Sequence, residues 1–159
     1  MKASAGRFET AVVERTFLYW QSKATSGIPG RNDLHPDEMR PLLPYLFLVD
    51  VEPVPFGFRF RLVGTEVSRW AGREYTGVRV NEAEYGPNWR SVFQAYARVV
   101  RIGEPELAHL HAPWVGREFL RYERLIAPLS SRGTVVDMLF GALHPIASRL
   151  RDVQDGRAD

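Results

Sequence analysis

The sequence predicts an α+β fold: a five-stranded antiparallel sheet with short helices and one long helix on one side, preceded by an N-terminal amphipathic helix. Within residues 58–80, apolar and polar side chains alternate up to Gly64, and the apolar residues after Gly64 follow helical spacing. Residues 87–102 have the apolar face of a long helix, which Gly103 ends, and three strand-like segments follow. This order of elements predicts a single sheet with its helices packed on one face.

The N-terminal helix is predicted over residues 9–24, where Val13, Phe17 and Trp20 fall on one apolar stripe. A loop rich in glycine and proline ends it, and the prolines of residues 34–46 limit that next segment to short helical turns. The apolar stripe must be buried, either on the chain's own sheet or against a second copy of the chain. Its three residues are therefore the candidate dimer contact.

Two strands are predicted before the short helix. The first covers residues 47–54, and Arg59 and Arg61 alternate with apolar residues in the second. Thr65 is the predicted N-cap of the short helix, and Gly72 ends it. The three strands after the long helix are predicted at residues 105–114, 118–129 and 134–143.

A chain of 159 residues is predicted to be one domain. The core of the domain is expected at residues 47–143, after the helix and helical turns of residues 9–46. Residues 1–8 are expected to be flexible, and residues 144–159 to form a polar tail.

The composition excludes several classes of function. Cysteine is absent, which rules out a disulfide framework, a thiolate nucleophile and a cysteine-rich metal site. The net charge is only +2 with acids interspersed among the arginines, so no nucleic-acid-binding face is expected. The apolar runs are too short for a membrane segment or a signal peptide, so a cytoplasmic location is expected. No phosphate-cradling loop or arrangement of nucleophile and base is visible, which predicts a non-catalytic protein.

The order of the elements and a set of short motifs resemble the PAS domain family. The motifs are Leu18-Tyr19-Trp20, Arg61-Leu62-Val63-Gly64-Thr65, Thr76-Gly77, Gly103-Glu104-Pro105, Arg121-Tyr122-Glu123-Arg124-Leu125 and Val136-Asp137-Met138. Within that family the chain is most similar to short single-domain proteins of alphaproteobacteria whose ligand is not assigned. The resemblance implies a five-stranded sheet that closes over helices to form a pocket.

Four aromatic residues would border this pocket: Trp70, Phe93, Tyr96 and Tyr122. The same side chains would equally fill a packed core, because periodicity does not separate lining a cavity from filling it. The cofactor stays unknown. Haem and flavin are both used in the family, but no haem-attachment motif is present, and the lack of cysteine removes both cysteine-linked chromophores.

Arg124 and His109 are the polar candidates for the pocket. Arg124 would either pair with Asp137 across the last hairpin or recognise an anion, since a guanidinium forks well onto a carboxylate or phosphate. His109 and His111 point to the same face of a strand, but two histidines do not complete a metal site, and none is predicted. His109 would then be exposed, or be an axial haem ligand.

These observations predict a non-catalytic sensory module that binds a small molecule or a partner protein. No effector segment fits within this length, so the module is expected to act in trans, with the N-terminal helix as a homodimer contact. The alternative is a small cavity enzyme of isomerase or cyclase type. That enzyme would need Asp137 or His109 as its acid–base group.

Overall fold

The computed structural model describes residues 7–147; most of the predicted flexible N-terminus and of the polar tail lies outside this range. Helix α1 is followed by three short 3₁₀ turns, then by two strands, two helices and three strands. Their bounds are α1 Ala11–Lys23, the 3₁₀ turns Arg31–Asp33, Pro36–Met39 and Leu43–Tyr45, β1 Leu46–Pro53, β2 Phe56–Val63, α2 Thr65–Ala71, α3 Trp89–Ile102, β3 Glu106–His111, β4 Arg121–Leu129 and β5 Met138–Pro145.

The five strands form one antiparallel sheet in the order β2-β1-β5-β4-β3. This arrangement confirms the predicted α+β fold with a five-stranded antiparallel sheet. In the central strand β5, Gly141 lies so close to the Phe47 ring and the Leu125 carbonyl that a Cβ atom would overlap both. Only glycine allows the strands and the aromatic ring to pack this closely.

The inner face of the sheet packs against α3. Val92, Tyr96 and Val99 follow the helical period and are buried in the same core as Phe47 and Phe60 of β1 and β2. The Tyr96 ring lies 6.2 Å from the ring of each of these two phenylalanines. An aromatic core of this kind is what the apolar face of the long helix predicts.

The outer face of the sheet is covered by α1. Val13, Phe17 and Trp20 are buried in a second core that also contains Leu125 of β4. The Trp20 indole Nε1–H donates a hydrogen bond to the Pro128 carbonyl at 2.9 Å. The three residues of the candidate dimer contact are therefore buried against the chain's own sheet. A homodimer through α1 stays a prediction.

The last hairpin differs from the prediction. Leu129 pairs with Met138, because residues 130–137 form a loop that is longer than the predicted turn. Asp137 lies in this loop, where its carboxylate accepts hydrogen bonds from a backbone N–H of the same loop. The predicted ion pair between Arg124 and Asp137 is therefore wrong.

The strands β3 and β4 are shorter than predicted, and β5 is shifted along the chain. Residues 112–120 form a loop between β3 and β4, and this loop folds Trp114 back into the inner core. The strand β5 continues to Pro145, two residues into the predicted tail. The periodicity identified the strands, while their ends are decided by how these loops pack.

Two kinds of feature are missing from residues 7–147. No helix in this range combines the length and the apolar character that crossing a bilayer requires. No group of three or more histidine, aspartate or glutamate residues in the same range is placed to hold a metal ion.

Candidate functional site

Strand β4 places neighbouring buried residues on opposite faces of the sheet, as the two-residue period of a strand requires. Tyr122 and Ile126 belong to the inner core, and Arg124 between them lines an inner cavity. Leu125 belongs to the outer core beneath α1, and Glu123 contacts the start of that helix. The strand therefore connects the two sides of the sheet directly.

A small cavity lies between α3, the inner face of the sheet and the β3–β4 loop. Its volume is about 40 Å³, and its lining includes Phe47, Phe60, Val67, Tyr75, Tyr85, Tyr96, Trp114 and Arg124. One water molecule needs roughly 10–15 Å³ of such a volume. Pockets for drug-sized ligands measure about 300 Å³ or more. In this structure the aromatic side chains therefore mostly fill the core.

Neither haem nor flavin fits this cavity. Its 40 Å³ is far smaller than either group, and the residues that line it include no histidine to ligate a haem iron. The chain also has no cysteine to form a flavin adduct. The side chains around the cavity therefore do not match the cofactors that the sequence left open.

Two phenol groups lie in the core with Arg124. Burial strongly raises the pKa of the Tyr85 and Tyr96 hydroxyls above the ordinary value of tyrosine, and the positive charge of Arg124 only partly offsets it. Both hydroxyls are therefore neutral at physiological pH. They supply hydrogen-bonding groups to the core, and they are not bases.

Arg124 is a buried cation, with only 8% of its surface exposed. Its Nε is buried and has no hydrogen-bond partner among residues 7–147. Burial lowers the pKa of the guanidinium, and the charge of Glu106 opposes this. Glu106 is engaged by Arg98, whose guanidinium donates to Oε1 at 2.9 Å, while its Oε2 is buried without a hydrogen-bond partner among the described residues. Within the described residues, no carboxylate lies within 4 Å of the Arg124 guanidinium.

A surface cleft of about 440 Å³ reaches Arg124 from the solvent side. Its walls come from the first half of α3 and from the end of β3 with the loop that follows. They comprise Asn88, Ser91, Gln94, Arg98, Leu110, His111, Ala112, Pro113 and Glu118. Leu110, Pro113 and Arg124 line both this cleft and the inner cavity, so they form the wall between the two spaces.

On the opposite face, the Glu123 carboxylate holds the start of α1. It is fully buried and accepts hydrogen bonds from the backbone N–H of Glu9 at 2.6 Å and of Thr10 at 2.9 Å. The Thr10 hydroxyl donates to the same carboxylate at 2.8 Å and accepts from the Val13 N–H at 3.3 Å as the helix N-cap. His109 Nε2 lies 2.8 Å from Glu123 Oε2.

The structure brings together three of the six residues predicted to line a pocket. Tyr96 and Arg124 line the inner cavity, and Tyr122 lies beside it with its ring 5.3 Å from that of Trp114. Trp70 lies farther out, half-buried, with its ring 5.6 Å from that of Tyr122. The binding roles of these residues stay predictions.

Phe93 and His109 lie away from the cavity. Phe93 packs edge-on against Phe56 and Phe58 and lines an open groove at the β1–β2 hairpin. His109 is on the outer face of the sheet, in contact with Glu123, because it belongs to the opposite side of β3 from the cavity-lining Leu110.

Sequence reasoning missed the roles of Glu123 and Trp114. A signal for Glu123 was present, since this acid shares its strand face with Leu125 and Ala127 and so had to be buried with donors around it. The sequence contains no comparable signal for Trp114, because its pattern continues that of strand β3.

The family profile described as "PAS domain" matches residues 9–144, a span that includes α1 and nearly all of the sheet. The chain belongs to the PAS domain family. No curated protein sequence matches it significantly.

Two solved structures are similar to this PAS domain in fold. The PAS domain of BvgS from Bordetella pertussis aligns with a TM-score of 0.54 and 18% identity, over 75% of this chain and 93% of that one. A light-oxygen-voltage domain studied with a flavin analogue aligns with a TM-score of 0.52 and 14% identity, over 76% and 94% of the two chains. At these identities the likeness shows the fold alone. PAS domains, the family to which the chain belongs, are typical of sensory signalling modules and are generally non-catalytic.

Proposed function

We propose that this PAS domain is a sensory module that binds a small molecule on the inner side of its sheet and changes the seating of α1 on the outer side. Family membership supports a sensory role. The contacts of β4 support the route, because Tyr122 and Arg124 face the inner side while Glu123 between them contacts α1.

The observation that carries this proposal is the buried Glu123 carboxylate. Its three hydrogen bonds to Glu9 and Thr10 hold the N-terminus of α1 against the sheet. Hydrogen bonds of this kind weaken steeply when the donor–acceptor distance or angle departs from its narrow optimum. A small displacement of β4 on the cavity side therefore changes the strength of the hydrogen bonds that hold the start of α1 against the sheet.

The arrangement of the cavity favours a sensor over the isomerase-type alternative. That alternative requires an acid–base group inside the cavity. Asp137 lies in the β4–β5 loop and His109 on the outer face, so neither group that this alternative needs lines the inner cavity or the surface cleft beside Arg124. The cavity does have a cation, Arg124, which suits binding.

Hydrogen exchange tests the coupling. Tyr96→Ala enlarges the inner cavity and loosens the packing beneath β4, so we expect exchange of the Glu9 and Thr10 amides to rise roughly tenfold. Exchange is referred to the Leu139 amide of the central strand, which reports global unfolding. Phe56→Ala is the matched control, since it removes an exposed aromatic residue that contacts α3 but does not line the cavity.

The coupling would be contradicted if the Glu9 and Thr10 amides exchanged at the wild-type rate in Tyr96→Ala, relative to Leu139. It would also be contradicted if Phe56→Ala raised their exchange as much as Tyr96→Ala does, because the effect would then be a general loosening.

A further inference from the structure

We infer that the surface cleft above Arg124 binds a small monoanionic carboxylate, with the carboxylate seated on the Arg124 guanidinium. This inference rests on the proposed sensory function and names the chemical class of its ligand.

The first argument is the state of Arg124. Several arginines at the surface have carboxylate partners: Arg79 pairs with Glu52, and Arg98 pairs with Glu106. Arg124 is more than nine-tenths buried, its Nε has no hydrogen-bond partner among residues 7–147, and Glu106, whose charge acts on it, lies beyond the 4 Å of an ion pair. A buried charge without a hydrogen-bonded counter-ion is strongly unfavourable, whereas a buried and hydrogen-bonded pair recovers much of that cost. An oxyanion from outside the chain supplies the missing partner.

The second argument is the shape of the cleft. Its volume of about 440 Å³ lies within the range of small-molecule sites and is ten times that of the inner cavity. Arg124 lies in the wall that Leu110 and Pro113 complete, so a ligand in the cleft reaches the guanidinium without entering the aromatic core. The cleft and not the cavity is therefore the ligand site.

The third argument is the charge and polarity of the rim. Asn88, Ser91 and Gln94 on α3 offer amide and hydroxyl groups to the body of a ligand. The charge of Arg98 is balanced by Glu106, and Glu118 adds a negative charge to the rim. Arg124 is the arginine of this cleft without an ion pair among the described residues, and Glu118 and His111 line the same space, which favours a single negative charge over a phosphate dianion. A short hydroxy- or keto-carboxylate fits this description.

Thermal unfolding with defined anions tests the inference. The probes are acetate, lactate and pyruvate, with acetamide as the neutral analogue of acetate and with inorganic phosphate and chloride at matched ionic strength. We expect the three carboxylates to raise the Tm of the wild-type protein by about 2 °C or more, and acetamide, phosphate and chloride to raise it less.

Arg124→Met is the decisive variant, and Arg101→Met is its matched control on the exposed side of α3. Replacing an unpaired buried charge by an apolar side chain is expected to leave the ligand-free protein as stable as the wild type or more so. We expect Arg124→Met to lose the carboxylate-dependent increase in Tm, and Arg101→Met to keep it. Isothermal titration calorimetry with lactate is expected to show at least a tenfold loss of affinity in Arg124→Met only.

Several results would overturn the inference. They are no carboxylate-specific increase in Tm, an equal increase in Arg124→Met, a preference for phosphate, or marked destabilisation of ligand-free Arg124→Met, which would show that Arg124 has a structural partner.

The outcomes also separate this inference from the proposed coupling. Carboxylate binding that leaves the Glu9 and Thr10 amides unchanged supports the ligand class and contradicts the coupling. An effect of Tyr96→Ala on those amides without any carboxylate binding supports the coupling and contradicts the ligand class.

Discussion

Glu123 and Arg124 are consecutive buried charges on β4 with opposite surroundings. The carboxylate of Glu123 accepts three hydrogen bonds from the start of α1 and contacts His109. The guanidinium of Arg124 has no carboxylate partner among the described residues and borders an open cleft. A buried charge with its partners in place holds a structure together, while one without them is suited to receive a ligand.

Removing the Glu123 charge is expected to destabilise the protein. In Glu123→Gln an amide replaces one acceptor oxygen with a donor, which then faces the N–H groups of Glu9 and Thr10. We expect the free energy of unfolding to fall by about 1–3 kcal/mol, because buried donors lose their acceptor. In Glu123→Ala we expect a loss of about 2–4 kcal/mol. Urea denaturation followed by circular dichroism measures both changes.

Glu104→Gln is the control for this experiment, since Glu104 is exposed beside the end of α3. Its free energy of unfolding is expected to stay within about 0.5 kcal/mol of the wild-type value. If Glu123→Gln were as well tolerated as Glu104→Gln, the carboxylate would not be what anchors α1.

Helix α1 is an integral layer of the fold, because it covers an apolar face of the sheet that would otherwise be exposed. The Trp20 indole fixes its position through the hydrogen bond to the Pro128 carbonyl. Trp20→Phe keeps an aromatic ring but leaves that buried carbonyl without its donor. We expect the free energy of unfolding to fall by about 1–3 kcal/mol, measured by urea denaturation.

Leu18→Ala is the matched change on the same helix, because Leu18 is 51% exposed. It is expected to alter the free energy of unfolding by less than about 0.5 kcal/mol. The loss in Trp20→Phe is expected to be the same at low and high protein concentration, since the contact lies within one chain. A loss that grew with concentration would indicate that Trp20 stabilises an association between chains.

The elements of this fold were predictable where neighbouring residues decide them. The period of α3 and the positive φ of Gly103, which ends it, are local properties. The register of the last hairpin was not predictable, because residues 130–137 form a loop that depends on burying Val136 in the core. A strand pattern specifies which residues share a face, and it leaves the length of the connecting loop open.

The candidate site was predictable only in part for a related reason. Helical and strand periods place Tyr96 and Arg124 on the inner side, and the structure agrees. Whether Arg124 has a partner depends on residues far away in sequence, such as Arg98, which engages Glu106. The same holds for the volume of the cavity. Trp114 reduces this volume, and it lies in the β3–β4 loop, at a position where the sequence predicted a strand.

The charges of the protein also separate into two classes. Arginines and carboxylates on the surface pair across elements, as Arg79 does with Glu52 and Arg61 with Asp50. Such exposed pairs are individually worth little to stability and are screened by salt. The inner core instead holds Arg124 with the neutral phenols of Tyr85 and Tyr96. The pH dependence of folding above neutrality therefore includes a contribution from this core.

Burial raises the pKa of Tyr96 in the folded protein above the ordinary value of 10.0. A group with a raised folded pKa contributes its full stability below the unfolded pKa and loses it as the pH rises from there toward the folded pKa. We therefore expect the free energy of unfolding to decline above pH 10 as phenols ionise in the unfolded chain. One such phenol contributes a slope that approaches about 1.4 kcal/mol per pH unit once it is fully ionised in the unfolded chain.

Tyr96→Phe measures this contribution together with the coupling of Tyr96 to Tyr85 and Arg124, because groups that do not interact with Tyr96 cancel in the difference between the two proteins. We expect the variant to match the wild type within about 1 kcal/mol at pH 7. Between pH 10 and 11.5 its free energy of unfolding is expected to decline less steeply by about 1 kcal/mol per pH unit. Urea denaturation at each pH, with phenolate absorbance at 295 nm, measures this. Parallel declines in the two proteins would mean that the Tyr96 hydroxyl reaches water in the folded state, and that the cavity wall beside Arg124 opens.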